Sequence, residues 1–150
     1  MKRKKSLEPP TFLLIYLLLA LTLHFFFPIK DIISGLYRFL GVLIIAFGVV
    51  INLWADSLFK KEKTTVKPDE LPSKLITKGP FRFSRHPMYL GFVLLLLGVA
   101  IILGSLSSFI SPVLMFLTLE WKFIPLEEKQ MEKSFEEKYL EYKNRVRRWL

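Results

Sequence analysis

The sequence predicts an all-α fold: a polytopic membrane helix bundle of about four transmembrane helices, the last two forming a helical hairpin, with a C-terminal amphipathic helix. Two observations lead there. The 150 residues are 52% hydrophobic and 15% aromatic, with positive mean hydropathy, yet the chain carries a net charge of +9. These properties conflict in a soluble domain and agree in a small bundle of apolar spans with basic ends. The second is order along the chain: four apolar segments alternate with polar ones, and the length suits one domain, residues 1–150.

The first span, about 12–29, follows the basic run Met1 to Lys5 and the pair Pro9-Pro10, and stops at Pro28. A basic start before an apolar run also describes a signal peptide. No small-residue cleavage site follows, and three more apolar segments do. The second span, 32–54, holds one charge, Arg38, near an end where its long side chain can snorkel to the interface. After a polar stretch, residues 88–124 are apolar for longer than one helix needs to cross a core about 30 Å thick. Gly104-Ser105-Leu106-Ser107-Ser108 lies near the middle of that run. Two spans, 87–104 and 107–124, joined by a tight turn, account for it.

Basic residues orient the bundle. Four precede the first span, eight lie in the polar stretch between the second and third (60, 61, 63, 67, 74, 78, 82 and 85), and eight follow from Lys122; only Lys30 and Arg38 fall on the other side. Twenty of 22 therefore share one face, which reads as cytoplasmic and holds both termini. The charge follows membrane topology so closely that nucleic acid is a poorer explanation than membrane lipid. There are no cysteines, which excludes disulfides, thiolate metal sites and a cysteine nucleophile, and His24 and His86 are too far apart to suggest a metal site.

Two segments carry chemistry. Gly79-Pro80-Phe81-Arg82-Phe83-Ser84-Arg85-His86-Pro87-Met88-Tyr89-Leu90-Gly91 stands where the third span begins. Proline suits a first helical turn, and the free N–H groups there, with the positive end of the helix dipole, favour an anion. Arg85 and His86 sit beside that seat, although His86 as a plain helix cap explains its position too. Beyond Pro125, Met131, Phe135, Tyr139, Tyr142, Val146 and Trp149 recur at helical spacing, predicting one apolar face over 125–150. A helix lying on the membrane surface explains that pattern equally well. Glu127, however, leaves the fourth span on the side where His86 enters the third. An anion seat facing a carboxylate suits an amino-acid-like cofactor, which presents both an acid and an ammonium group. No Gly-x-Gly-x-x-Gly, Walker loop or strand–helix alternation is present, which excludes a Rossmann-type nucleotide domain.

These segments together resemble the isoprenylcysteine carboxyl methyltransferase family and its phospholipid methyltransferase relatives. The matching residues are Leu75 to Phe81, Arg85 to Gly91, Glu127-Glu128, Phe135, Tyr139 to Tyr142 and Val146, with a fainter echo at Thr64-Thr65-Val66. The resemblance implies an integral membrane methyltransferase that binds S-adenosylmethionine at the cytoplasmic ends of its last spans. It implies cofactor contacts from a strand-like piece, Ser73, Lys74, Leu75 and Ile76, and from Phe81, Arg85, His86, Pro87, Met88, Tyr89 and Glu127, with no metal.

Methyl transfer at a sulfonium carbon needs alignment and exclusion of water more than a nucleophile or metal. An amine acceptor would also need a base, for which His86 and Glu128 are candidates. The acceptor implied is lipid-like or prenylated, methylated on a carboxylate oxygen or an amine nitrogen. The prenylcysteine enzymes carry an arginine four residues before the glutamate, where this chain has Phe123. Esterification of a prenylcysteine is thereby put in question, and Phe123→Arg is expected to raise it unless Lys122 reaches round to supply the charge. The alternatives are a phospholipid amine N-methyltransferase, a nicotinamide-dependent membrane reductase of similar C-terminal architecture, and a non-catalytic lipid-binding membrane protein.

Overall fold

The computed structural model describes residues 8–64 and 72–150. The basic run 1–5, Lys67 and the Thr65-Val66 echo lie outside them. Five α-helices follow in order: α1 (Pro9–Phe26), α2 (Phe39–Glu62), α3 (Pro87–Leu103), α4 (Ile110–Thr118) and α5 (Ile124–Arg145). No β-strand occurs among the described residues, only an isolated bridge between Asp31 and Ser105. The piece 73–76, expected to be strand-like, is irregular.

Three stretches are long and apolar enough to cross a membrane, Pro9–Phe26, Gly35–Glu62 and Leu106–Arg145, and Pro87–Leu103 is a shorter apolar helix. At about 1.5 Å per residue, the shorter helix lies near the lower limit for a span. The chain is an integral membrane helix bundle. Leu14, Leu18, Leu43, Phe47, Val50 and Leu53 point outward from α1 and α2, as lipid-facing side chains do.

Polar backbone is concentrated at the two ends. At one, the 27–38 loop pairs with the α3–α4 turn: Ile32 N–H donates to Gly104 O (2.9 Å), and Leu106 N–H to Lys30 O (2.8 Å). The hairpin turns at Gly104, whose φ of +78° is one that only glycine adopts without strain. Lys30 and Arg38 share this end; His86 and the α5 residues share the other.

Small residues set the packing of α2 on α3. The helices run antiparallel, and Gly41 meets Gly98 as Gly48 meets Gly91. A Cβ on Gly98 would lie 2.6 Å from Gly41 O, and one on Gly48 would lie 2.9 Å from Gly91 O. In a membrane, such close backbone approach replaces the hydrophobic drive that lipid removes. Asn52 Nδ2 caps the seam by donating to Gly48 O at 3.0 Å. Helix α1 joins α4 through Tyr16 and Thr118, whose hydroxyls are 2.7 Å apart.

The fourth span does not end where a new helix begins. A π-helical turn, Leu119–Phe123, connects α4 to α5 without a break. Pro125 has no N–H for the carbonyl of Trp121 and would clash with it in a regular helix, so the chain widens just before it. The interruption comes later, at Glu136 (φ 45°, ψ −122°), where α5 folds back on itself. This corrects the expectation of one straight amphipathic face. Met131 and Phe135 before the break, and Tyr139, Tyr142 and Val146 after it, gather round Ala55, Ile76 and Phe81. Trp149 lies beyond the helix and packs on Phe116, ring centroids 4.8 Å apart.

Candidate active site

Pro87 opens α3, leaving His86 as its N-cap residue. Ser84 is buried behind it and accepts the His86 N–H at 3.2 Å. The polar run that looked dense in sequence is therefore folded inward at the mouth of the helix. Its imidazole lies parallel to the Tyr89 ring, one turn on, with centroids 5.6 Å apart.

Opposite, the first turn of α5 offers two carboxylates to His86. Nδ1 lies 3.3 Å from Glu127 Oε2 and Nε2 lies 3.5 Å from Glu128 Oε1, the latter without a hydrogen bond. The Tyr89 hydroxyl donates to Glu127 Oε1. Glu128 is held differently. Arg85 Nη2 is 2.9 Å from its Oε1, and Arg148 donates to both oxygens, Nε at 3.1 Å and Nη2 at 2.8 Å. This fork is the strong form of charge-assisted pairing. Burial pushes the Glu128 carboxyl up, but His86, Arg148 and Arg85 outweigh it and hold it at about 2. Burial likewise opposes charge on His86, and Glu127 and Glu128 raise its pKa above the ordinary value.

A cavity of about 300 Å³ opens between these groups and the packed loop 72–81. Lys74, Leu75, Ile76, Phe81, Arg85, His86, Pro87, Met88, Tyr89 and Glu127 all line it, together with Phe59, Phe92, Met131, Tyr139 and Tyr142. Glu8, Pro9 and Pro10 form a lip at the start of α1. Tyr142 secures the wall by donating to Phe81 O at 2.7 Å. Arg85 is almost wholly buried, and among the described residues its Nε and Nη1 have no partner, as His86 Nε2 has none. Unmet buried donors are costly and call for an acceptor. An amino acid's carboxylate suits Arg85, its ammonium suits Glu127, and aromatic walls suit a flat base. The residues fit S-adenosylmethionine.

Three residues named from sequence are not in the cavity wall. Ser73 turns to Thr64, whose hydroxyl accepts its N–H at 3.1 Å. Glu128 lies behind His86, 4% exposed and engaged by two guanidinium groups. Lys122 stays on the far side, its Nζ 4.6 Å from the Phe12 ring centroid. Phe123 is 6% exposed, edge-on to Phe12 at 5.5 Å, so an arginine there would enter an aromatic core. Sequence reasoning missed Ser84, Glu120 and Arg148. Arg148 stood among basic residues at a helix end, where nothing in the one-dimensional pattern separates it from its neighbours.

A family model described as phospholipid methyltransferase matches residues 36–138. The chain is 31% identical over 116 residues to the protein-S-isoprenylcysteine O-methyltransferase of Saccharomyces cerevisiae, covering 71% of this chain and 46% of that protein. It is 35% identical over 77 residues to protein-S-isoprenylcysteine O-methyltransferase B of Arabidopsis thaliana, covering 49% and 37%. An uncharacterized protein of Haemophilus influenzae is 35% identical over 63 residues, 42% of this chain and 100% of that one. The chain thus spans less than half the length of the two named enzymes.

Proposed function

The chain belongs to the phospholipid methyltransferase family, and from that premise we propose that it is an integral membrane methyltransferase using S-adenosylmethionine to methylate a hydrophobic or lipid-like acceptor. The observation that carries this reading is the Glu127 carboxylate. It faces the cavity, fixed by the Tyr89 hydroxyl and the His86 ring, opposite the buried and incompletely paired Arg85.

When bound, the cofactor supplies a methyl group on a positively charged sulfur, already attached to a good leaving group. Glu127 binds the ammonium group and Arg85, with the N-terminal turn of α3, binds the carboxylate. Backbone of Lys74, Leu75 and Ile76 and the rings of Phe81 and Tyr139 enclose the remainder. Met88 and Phe92 present the apolar side of the cavity, where an acyl or prenyl chain would lie. Enclosure of this kind excludes water and fixes the approach of the acceptor. His86 is the group we assign to hold a proton if the acceptor is an amine, because it lines the cavity beside Glu127, its Nδ1 3.3 Å from Glu127 Oε2. Both Glu128 oxygens already accept from Arg148, so its part is to hold Arg85 and His86 in place.

The basic asymmetry of the sequence supports a cytoplasmic position for the cavity end. The test is methyl transfer from radiolabelled S-adenosylmethionine by purified protein, offered total membrane lipid and a farnesylated cysteine analogue separately. Label in an organic-extractable product that disappears with Glu127→Ala is the result expected. No labelled product from either source would count against the reading.

A further inference from the structure

Residues 146–150 lie beyond the 36–138 segment that the family model matches, and they return across the polar end of the bundle. Arg147 O accepts the Arg85 N–H at 3.0 Å. Arg148 O accepts from the Ser84 hydroxyl at 3.1 Å, and that same hydroxyl oxygen receives the His86 N–H. The Arg148 side chain grips Glu128 on α5 with Nε and Nη2 and reaches Glu120 in the π turn with Nη1. Trp149 Nε1 donates to the other Glu120 oxygen at 2.8 Å. One short strap thus ties the mouth of α3, the π turn and the first turn of α5.

We propose that Arg148 is a positioning residue: it draws Glu128 to the back of the site, so that His86 is held between the two carboxylates and Glu127 is left facing the cavity.

The charges support this. Glu128 sits between Arg85 and Arg148, and Glu120 balances the second guanidinium, leaving Glu127, of these three carboxylates, without a guanidinium partner among the described residues. Removing Arg148 uncovers Glu128 and Glu120 together. His86 is then drawn toward Glu128 as a cation and away from Glu127. The groups facing His86 are Glu127 and Glu128 from α5, Tyr89 from α3 and Arg85 beside it, with Lys143 (4.0 Å from Glu128), Arg148 and Glu120 behind; Tyr139 shares the cavity wall with them. Arg148 and Glu120 have opposite signs, so their removal must move the His86 titration in opposite directions.

This inference rests on the methyl-donor reading only for its binding arm. The chain has two histidines, and ¹⁵N-histidine NMR in detergent micelles resolves them, with His24→Gln assigning the signals. In Arg148→Met the His86 midpoint should rise by about half a pH unit or more, and in Glu120→Gln it should fall. Arg148→Lys restores the charge, hence the midpoint, but regains only part of the affinity because it lacks the fork. Affinity for S-adenosylmethionine by calorimetry should fall at least about tenfold in Arg148→Met. Loss of thermal stability with an unmoved His86 midpoint and unchanged affinity per folded molecule would reduce Arg148 to a fastener and overturn the proposal. If Arg148→Met does not fold, an unmoved midpoint in Glu120→Gln overturns it alone. Wild type that fails to bind the cofactor sinks the methyl-donor reading, while the titration still decides the role of Arg148.

Discussion

Glu127 and Glu128 are adjacent in sequence and are sent to different ring nitrogens of His86, Nδ1 and Nε2. A helical step of about 100° separates them. Glu127 turns to the Tyr89 hydroxyl and the cavity, and Glu128 turns to the guanidinium groups of Arg85 and Arg148. Their substitutions should therefore fail in different ways.

Glu127→Ala should fold and lose affinity. A hydrogen bond to a charged group contributes about 1.5–3 kcal/mol, so binding of S-adenosylmethionine should weaken at least about tenfold with little change in melting temperature. Glu128→Ala removes the shared partner of two arginines, one of them almost wholly buried. Breaking a buried pair costs about 3–5 kcal/mol, and the loss should appear first as poor yield and early thermal unfolding in detergent. Equal melting temperatures for the two variants would sink the division of labour.

Stability should fall at both ends of the pH range. The Glu128 carboxyl is depressed from 4.5 to about 2 in the folded state, so its contribution is complete above 4.5 and is lost as pH falls toward 2. His86 is raised above 6.5, so its contribution is complete below 6.5 and is lost as pH rises through the higher folded value. Melting temperatures against pH should show both flanks. Glu128→Gln should flatten the acid flank and His86→Gln the alkaline one, and an unaltered profile in either variant contradicts its assignment.

Gly98→Ala should destabilise. Glycine in a helix is ordinarily about 0.5–1 kcal/mol worse than alanine, so the substitution would help if space allowed. The new Cβ would stand 2.6 Å from Gly41 O, a backbone atom that cannot yield without moving α2. Gly35→Ala is the control: its φ is +59° but nothing lies within 4 Å of the added carbon. It should cost only about 1–2 kcal/mol of backbone strain. A Gly98→Ala protein as stable as wild type would show that α2 and α3 pack less tightly than the seam implies.

Cysteines at Lys63 and Lys30, in a chain that has none, should label from opposite sides of the membrane with an impermeant reagent. Labelling from the same side would end the two-faced topology.

A farnesylated cysteine analogue should be a poor acceptor for wild type, because Phe123 is packed against Phe12 and Lys122 lies outside the cavity. Lys122→Ala should leave that slow rate unchanged. Phe123→Arg, attractive from sequence alone, should instead lower the yield of folded protein by burying a charge among aromatic rings. Brisk wild-type turnover that Lys122→Ala abolishes would refute this account.

The fold class was legible because membrane helices announce themselves locally. Each must satisfy its backbone within itself, so runs of apolar residues, the Gly104 turn and the prolines at helix starts act over a few residues and can be read in order. The Arg85-His86-Pro87 mouth and the Glu127-Glu128 pair were legible for the same reason: helix ends are local features. What the tertiary structure alone decided were matters of direction and return. Whether Glu127 or Glu128 faces the cavity depends on the rotation of α5, which the π turn before Pro125 sets. The regular spacing through Tyr142 gives no sign that the helix folds back at Glu136 and buries the tyrosines on Phe81 and Ile76. Arg148 shows the limit most plainly. Its partners, Glu120, Glu128 and Ser84, are 28, 20 and 64 residues away, and pairing over such distances is fixed by packing, which no local pattern encodes.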